Sequence, residues 1–150
     1  MGNVHRASRL IDEVRAAGVT DVCVCAGSRN SPLLVVLGAR ADVRLFSFVD
    51  ERSAAFFALG RAKALDAPVA VVTTSGTAAA ELLPAAIEAH YSGIPLILIT
   101  ADRPARFRGT GAPQSIEQEG LFGVYAETSM ETWTRKRPLH INIAFDEPLL

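Results

Sequence analysis

Cysteine is scarce in this sequence. Its 150 residues include only Cys23 and Cys25, and on a β-strand this spacing points both side chains to one face without joining their sulfur atoms. A disulfide framework is therefore excluded. No second cysteine pair or close histidine cluster adds further ligands, so buried, apolar-like cysteines are favoured over a metal site, and we expect this chain to ligate no metal. Reduced thiols also fit the cytoplasm.

Net charge and long apolar segments are lacking as well. Fifteen basic and sixteen acidic side chains give a formal charge of -1, which offers no general attraction to nucleic acid or to an anionic membrane. Met1–Arg15 carries charges throughout, so we expect neither a signal peptide nor a membrane-spanning segment there. These absences predict a soluble cytoplasmic protein with no nucleic-acid partner and no membrane span.

Two common nucleotide-binding patterns, G-x-G-x-x-G and G-x-x-x-x-G-K-[ST], are also missing, which weakens dinucleotide and triphosphate interpretations. What the sequence contains is an alternation of short apolar segments with helical patterns. Segments that are apolar on both faces are typical of a parallel sheet covered by helices. We therefore predict one α/β domain over residues 1–150, with an open, mostly parallel sheet and helices on both faces.

The predicted elements alternate along the chain. Helices are expected over Asn3–Ala17, from Ser31, from Asp50, and over Ala78–His90 with a kink at Pro84. Strands are predicted over Val22–Ala26, Val43–Val49, Pro68–Thr73, Pro95–Thr100 and Pro138–Phe145. Before the last strand, Ala101–Gln114 is predicted to be a loop, Ser115–Phe122 a short helix, and Tyr125–Thr128 a short edge strand.

Polar clusters follow four of the predicted strands. Ligands of open α/β sheets bind beyond the carboxyl ends of the strands, so we expect these clusters to converge on one edge. They are Gly27-Ser28-Arg29, Asp50-Glu51, Ser75-Gly76-Thr77 and Asp102-Arg103.

Each cluster also has a simpler structural interpretation. The turn at Ser75-Gly76-Thr77 offers free backbone N–H groups for an anion or a heteroaromatic ring, but it also suits an ordinary helix cap. Arg29 and Arg103 can bind a carboxylate through two hydrogen bonds, or act as surface charges or structural ion pairs. Glu51, where a predicted buried strand turns into a buried helix, can simply complement the helix dipole. Residue by residue, the sequence predicts an anion-binding α/β domain.

Longer segments resemble a known family. The segments CAGSRNSPL, VDERSAAFFALG, PVAVVTTSGTAAAELLPAAIEAHYSGIPLILITADRP and GTGAPQSIEQEGLF are similar to the N-terminal pyrimidine-binding domain of the 2-succinyl-5-enolpyruvyl-6-hydroxy-3-cyclohexene-1-carboxylate synthases. These are thiamine diphosphate enzymes of menaquinone biosynthesis. The likeness runs from about Asn3 to Phe122 and returns at His140–Pro148.

The resemblance implies a catalytic role for Glu51. In this family the corresponding glutamate hydrogen-bonds N1′ of the cofactor pyrimidine and promotes the tautomer that takes the proton from the thiazolium ring. The enzyme then decarboxylates 2-oxoglutarate and adds the remaining four-carbon unit to isochorismate. We expect a buried carboxyl for this purpose. By the same resemblance, the cofactor lies near Gly27, Ser75, Gly76 and Thr77, and the substrates are held by Ser28, Arg29, Arg103 and Gln114.

Two features depart from the family. The Gly-Asp-Gly segment with a downstream Asn that holds Mg²⁺ and the diphosphate is absent from these 150 residues, so we expect it in a separate domain or chain. Only Met130–Arg137 separates the predicted edge strand from the final strand, where the family has a longer connection that includes a helix. A parallel crossover needs roughly a dozen residues or more, so this helix is expected to be missing, leaving apolar sheet surface exposed.

Three interpretations follow. The chain is the pyrimidine domain of such a synthase, or the pyrimidine-binding subunit of a two-chain thiamine-dependent 2-oxoacid decarboxylase, or a remnant that folds and associates without catalysis. A site completed between domains implies association, and we expect a homo-oligomer formed through the small-residue helices that follow Glu51 and Gly76. The isolated chain is expected to be inactive.

Overall fold

The architecture was taken from a computed structural model, which describes residues 2–150. Five strands form one sheet in the order β2-β1-β3-β4-β5, and every neighbouring pair is parallel. The strands are β1 (Asp21–Cys25), β2 (Arg44–Phe48), β3 (Val69–Thr73), β4 (Leu96–Asp102) and β5 (Leu139–Ala144). The predicted α/β class is confirmed, and the sheet is entirely parallel.

Helices cover both faces of this sheet. They are α1 (Asn3–Ala16), α2 (Ser31–Gly38), α3 (Glu51–Leu65), α4 (Thr77–Ala80) and α5 (Leu83–Ser92). One apolar cluster joins α1 and α2 to alternate residues of the central strands, such as Val22 and Val24. The other joins α3 and α5 to the opposite face, which includes Cys23 and Cys25. Both cysteines are free and buried, as predicted.

The predicted helix over Ala78–His90 is divided in two. Helix α4 ends at Ala80, and α5 begins at Leu83 with Pro84 in its first turn. Proline lacks an N–H donor and its ring clashes with the preceding turn, so it suits the start of a new helix better than a helix interior. The expected kink is therefore a complete break.

The small-residue faces of α3 and α5 lie inside the molecule. The alanines of both helices are fully buried against the sheet and against each other: Ala54, Ala55, Ala58, Ala62, Ala85, Ala86 and Ala89. These side chains therefore stabilise the core of one chain. A contact between chains through these helices, as expected from the sequence, would therefore use their outer faces, where Phe56 and Phe57 are exposed.

The connection from β4 to β5 contains no α-helix. Two short 3₁₀-helices, Ala105–Phe107 and Gly123–Tyr125, are its regular elements, and the helix predicted over Ser115–Phe122 does not form. The strand predicted at Tyr125–Thr128 is also wrong, since Glu127 makes only an isolated bridge to Leu139. The parallel crossover therefore uses the whole irregular segment after β4.

This connection contributes side chains to both faces of the sheet. Phe122 is buried in the cluster with α3 and α5, whereas Trp133 is buried in the cluster with α1. On the α1 side of β5, Ile141 and Ile143 remain half-buried beside Arg6 and Arg9. The expected exposure of apolar sheet surface is thus only partial at the last strand. None of the helices formed by residues 2–150 has the length and apolarity needed to cross a bilayer.

Candidate functional site

The predicted polar clusters lie along one edge of the sheet. Because all five strands are parallel, their carboxyl ends point to the same edge. Along it come Glu51 after β2, Gly27 after β1, Gly76 after β3 and Arg103 after β4. The strand order reverses between β1 and β3, which is where open α/β sheets bind ligands.

Glu51 begins α3 at the outer end of this edge. The preceding Asp50 caps the helix, since its Oδ1 accepts a hydrogen bond of 2.7 Å from the Ser53 N–H. Hydrogen bonding to Ser53 also lowers the pKa of Asp50. The Glu51 carboxylate has no hydrogen-bond or ion-pair partner among residues 2–150, and the residue is half-buried.

The negative charge of Glu51 acts on the Cys25 thiol in strand β1. Burial raises the pKa of the Cys25 thiol to about 11, and the negative charges of Glu51 and Asp50 contribute to this rise. Glu51 follows β2 three residues after Phe48, which pairs with Cys25, and so lies close to the carboxyl end of β1. The expectation of a buried strand and a buried carboxyl is wrong for this chain, because β2 is the outermost strand and alternates between exposed and half-buried residues.

The turn Ser75-Gly76-Thr77 is already occupied by protein. The Gly76 N–H donates a hydrogen bond of 2.8 Å to Gln118 Oε1, and a Cβ on Gly76 would lie 2.9 Å from the Cα of Gln114. The helix that follows has only four residues. The expected free N–H at Gly76 is therefore wrong: this group fastens the loop that carries Gln114.

Gly27 makes a similarly close contact at the reversal of strand order. A Cβ on this residue would lie 2.5 Å from Thr74 Cβ, so only glycine allows the two loops to meet. The Gly27 N–H donates to Asn30 Oδ1 at 2.9 Å, and Asn30 Nδ2 donates to the Cys25 carbonyl at 2.8 Å. The backbone of Gly27 is thus fixed against the loop after β3.

Arg29 is directed toward the end of the chain. It is only 5% exposed, and its guanidinium donates to the Phe145 carbonyl at 2.9 Å and to Glu147 Oε1 at 3.0 Å. Its neighbour Ser28 is exposed. In this structure Arg29 therefore joins the loop after β1 to the segment after β5.

Arg103 and Gln114 lie at the other end of the edge. Arg103 Nε donates to the Pro113 carbonyl at 3.0 Å, which holds the loop back against the end of β4. The two terminal nitrogens of Arg103 have no acceptor among residues 2–150. Gln114 is exposed and has a positive φ of 52°, so its amide faces solvent from a constrained backbone.

A buried polar network beneath Gln114 was not predicted. Gln118 Nε2 donates to Asn142 Oδ1 at 2.9 Å, and Asn142 Nδ2 donates to Asp102 Oδ2 at 2.8 Å. Thr100 Oγ1 lies 2.7 Å from Asn142 Oδ1 and 2.8 Å from His140 Nε2. His140 and Asn142 alternate along β5, so they share a face, and the alternation of polar residues on an otherwise apolar strand was the available signal.

The buried position of His140 in this network predicts that stability depends on pH. Burial lowers the pKa of His140 to about 4, against the attraction of Asp102, whereas an unfolded histidine titrates near its ordinary value of about 6.5. Between these two pKa values the unfolded chain binds more protons than the folded chain. The stabilisation from keeping His140 neutral should therefore be fully present above pH ~6.5, and the free energy of unfolding should fall by about 3 kcal/mol toward pH ~4. Urea unfolding at pH 7, 5.5 and 4.5 measures this loss.

A matched variant tests the assignment to His140. His140→Gln keeps a hydrogen-bonding side chain but removes the titration, so its free energy of unfolding should vary less over this pH range. Carboxylates held in ion pairs, such as Asp42, have a lowered pKa and lose their contribution at lower pH. An unchanged pH dependence in His140→Gln would contradict the role of His140.

Comparison with known proteins assigns the family. Residues 5–121 match the family model described as "Thiamine pyrophosphate enzyme, N-terminal TPP binding domain". The chain belongs to the thiamine pyrophosphate enzymes. Thiamine pyrophosphate is the cofactor also called thiamine diphosphate, so the match bears out the predicted type of domain and the predicted cofactor.

Individual relatives of this thiamine pyrophosphate-binding domain share one printed name, 2-succinyl-5-enolpyruvyl-6-hydroxy-3-cyclohexene-1-carboxylate synthase. The chain is 47% identical over 163 residues to the protein of Bdellovibrio bacteriovorus, covering 100% of this chain and 31% of the relative. It is 52% identical over 151 residues to the protein of Akkermansia muciniphila, covering 93% of this chain and 28% of the relative. The chain is 50% identical over 150 residues to the protein of Corynebacterium diphtheriae, covering 95% of this chain and 30% of the relative.

The chain therefore spans about three-tenths of the length of the curated relatives it matches. The alignment to the Bdellovibrio bacteriovorus protein extends over 163 positions, more than the 150 residues of this chain. It thus includes positions that have no counterpart here.

The edge residues of the thiamine pyrophosphate-binding domain fit the pyrimidine end of the cofactor. Glu51 offers a carboxylate without a protein partner to a nitrogen heterocycle, and the glycines at 27 and 76 let the neighbouring loops pack closely along the same edge. Within residues 2–150 no group of three or more His, Cys, Asp or Glu side chains is arranged to hold a metal ion. The residues present at this edge thus fit the heteroaromatic end of the cofactor.

Proposed function

We propose that this chain is the pyrimidine-binding part of a thiamine diphosphate-dependent synthase that decarboxylates 2-oxoglutarate and adds the remaining four-carbon unit to isochorismate in menaquinone biosynthesis. The observation that carries the proposal is the Glu51 carboxylate, which begins α3 at the carboxyl edge of the sheet without a protein partner. The printed name shared by the relatives supports this choice of reaction.

Glu51 is the proposed catalytic residue. When bound, the cofactor supplies a carbon nucleophile that attacks a 2-oxo acid and stabilises the charge left by loss of carbon dioxide. Glu51 would share a proton with the pyrimidine N1′ and so control the protonation of the ring. The half-exposure of Glu51 suits a group that a second surface covers, because exclusion of water strengthens such a hydrogen bond.

The substrates would meet the polar side chains along the same edge. Arg103 has two terminal nitrogens available for a carboxylate, and Gln114 and Ser28 present polar groups to solvent. Arg29 would take part by exchanging Glu147 for a substrate carboxylate, since Glu147 is 61% exposed and occupies one arm of its guanidinium. Gly27, Ser75, Gly76 and Thr77 would lie near the pyrimidine; Gly27 is half-buried and Thr77 exposed, whereas Ser75 and Gly76 are buried beneath them.

The remaining parts of the cofactor site would lie outside these residues. We infer that residues 1–150 act as one pyrimidine-binding domain and that a diphosphate-binding domain, in the same or another polypeptide, holds Mg²⁺ and the diphosphate. A site formed between two domains also favours a homo-oligomer. The two free thiols fit a cytoplasmic location.

A chimera tests this function. The part of the Bdellovibrio bacteriovorus relative that aligns with this chain would be replaced by residues 1–150, so that the rest of that enzyme supplies the complementary domains. We expect the chimera to bind thiamine diphosphate with Mg²⁺ in a calorimetric titration. It should also release carbon dioxide from 2-oxoglutarate and form product with isochorismate, whereas the 150-residue chain alone should show no turnover.

Other outcomes would favour the other interpretations. Release of carbon dioxide without addition to isochorismate would favour a 2-oxoacid decarboxylase subunit. A folded chimera that binds no cofactor would favour a non-catalytic remnant. Sustained turnover by the isolated chain would contradict the need for a second domain.

A further inference from the structure

Gln118 joins three separate parts of the candidate site. Its side chain is fully buried, and its Oε1 accepts the hydrogen bond from Gly76 N–H at 2.8 Å. Its Nε2 donates to the Ala101 carbonyl at 3.2 Å and to Asn142 Oδ1 at 2.9 Å. One amide thus connects the turn after β3 with β4 and β5.

The orientation of this amide is fixed by its partners. Gly76 supplies a hydrogen, so it must face the amide oxygen, and the Ala101 carbonyl can only accept, so it must face the nitrogen. Asn142 is oriented in the same way, because its nitrogen faces the Asp102 carboxylate. A flipped Gln118 would place its nitrogen against the Gly76 N–H and its oxygen against two acceptors, the Ala101 carbonyl and Asn142 Oδ1.

The other polar contacts of the loop that bears Gln118 lie nearer the surface: Arg103 binds the Pro113 carbonyl, and Arg108 forms ion pairs with Glu117 and Glu119. Between Arg108 and Phe122 the loop forms no helix or strand, and most of its residues are exposed or half-buried. The Gln114 backbone of this loop packs against Gly76, where an added Cβ would lie 2.9 Å from the Gln114 Cα. Gln118 therefore binds the turn at Gly76, the same turn against which the Gln114 backbone packs.

We propose that Gln118 is a positioning residue that holds Gln114 against the Gly76 turn and so sets the placement of the Gln114 side chain at the sheet edge. Gln118 touches neither cofactor nor substrate in this role, because it is covered by the loop. The consequence for substrate binding rests on the proposed function, whereas the positioning itself concerns only this chain.

Hydrogen exchange of the 150-residue chain, followed by NMR at single amides, tests the positioning. Gln118→Met fills nearly the same volume but accepts and donates no hydrogen bond at these sites. We expect the Gly76 amide to exchange at least about tenfold faster, as loss of one buried hydrogen bond implies. Amides of the loop over residues 109–122 should also exchange faster, by a larger factor than the Val24 amide in β1, which reports general stability.

Two further variants separate positioning from packing. Gln118→Asn keeps the amide but shortens the side chain, so it should also lose the Gly76 protection. Gln114→Met makes the same chemical change as Gln118→Met at an exposed side chain, and should leave Gly76 exchange unaltered. Unchanged exchange in Gln118→Met, or equal acceleration at Gly76 and Val24, would overturn the proposal.

The chimera supplies a second measurement. If Gln114 binds substrate, Gln118→Met should raise a substrate KM by a larger factor than it lowers kcat, because the placement of a binding group is disturbed. A chimera that is inactive with Gln118 in place would count against the proposed function. The exchange result would still decide whether Gln118 positions the loop.

Discussion

Replacing Glu51 with glutamine in the chimera should lower kcat by about 10²–10⁴-fold, the usual contribution of a positioned acid or base. Glutamine is nearly isosteric with glutamate but cannot share its proton with a pyrimidine nitrogen. Because Glu51 begins α3 and its side chain has no protein partner among residues 2–150, the change should not disturb the fold. Steady-state rates of carbon dioxide release and product formation measure the effect.

A matched control makes this result specific. Glu81→Gln removes the same charge from an exposed carboxylate at the end of α4, and should leave kcat within about twofold, as expected for surface changes away from a site. Calorimetric titration should show that the Glu51→Gln chimera still binds thiamine diphosphate. Full activity in Glu51→Gln would remove Glu51 from its proposed catalytic role.

The sheet was predictable because its central strands are apolar on both faces. Two of the central strands are completely buried, Val69–Thr73 and Leu96–Asp102. A short, uninterrupted apolar segment between two helical patterns is typical of a strand in a parallel sheet. The predicted bounds of the five strands differ from those observed by only a few residues. The helix cap at Asp50 was likewise predictable, because a capping carboxylate binds a backbone N–H only a few residues further along the chain.

Positions that depend on the order of strands could not be derived locally. Val43–Val49 reads as an apolar strand, yet the strand there lies at the edge of the sheet, and Leu45 is 40% exposed. Whether a strand has one neighbour or two is decided by chain topology, not by its own sequence. The burial expected for Glu51 failed for the same reason.

Residues directly after the strands of the candidate site could be predicted from the sequence, but the buried Gln118 between them could not. Strand-end residues such as Arg103 and Glu51 follow from the rule that ligands bind beyond the carboxyl ends of strands. Gln118 lies in a segment whose spacing favoured a helix, and its partners at 76, 101 and 142 are 42, 17 and 24 residues away. Long-range hydrogen bonds of a buried amide leave no periodic pattern in a single sequence.

The Gly76→Ala substitution should have the largest effect on stability. Gly76 has φ of 85° and ψ of -141°, a region that residues with a Cβ rarely adopt, and the added Cβ would lie 2.9 Å from the Gln114 Cα. Backbone strain and overpacking each cost about 1–3 kcal/mol, so the free energy of unfolding should fall by about 2–6 kcal/mol. Urea unfolding of the 150-residue chain measures this loss.

Two glycines elsewhere separate the causes of that loss. Gly109 has φ of 72° but no atom within 4 Å of an added Cβ, so Gly109→Ala should reveal the cost of a positive φ alone, about 1 kcal/mol. Gly60 lies within α3 with open space around its Cβ position, so Gly60→Ala should stabilise the chain by about 0.5–1 kcal/mol. If Gly76→Ala costs no more than Gly109→Ala, the loop does not rest on Gly76. A larger cost would show that the contact between Gly76 and Gln114 is rigid, as a binding surface built from two loops requires.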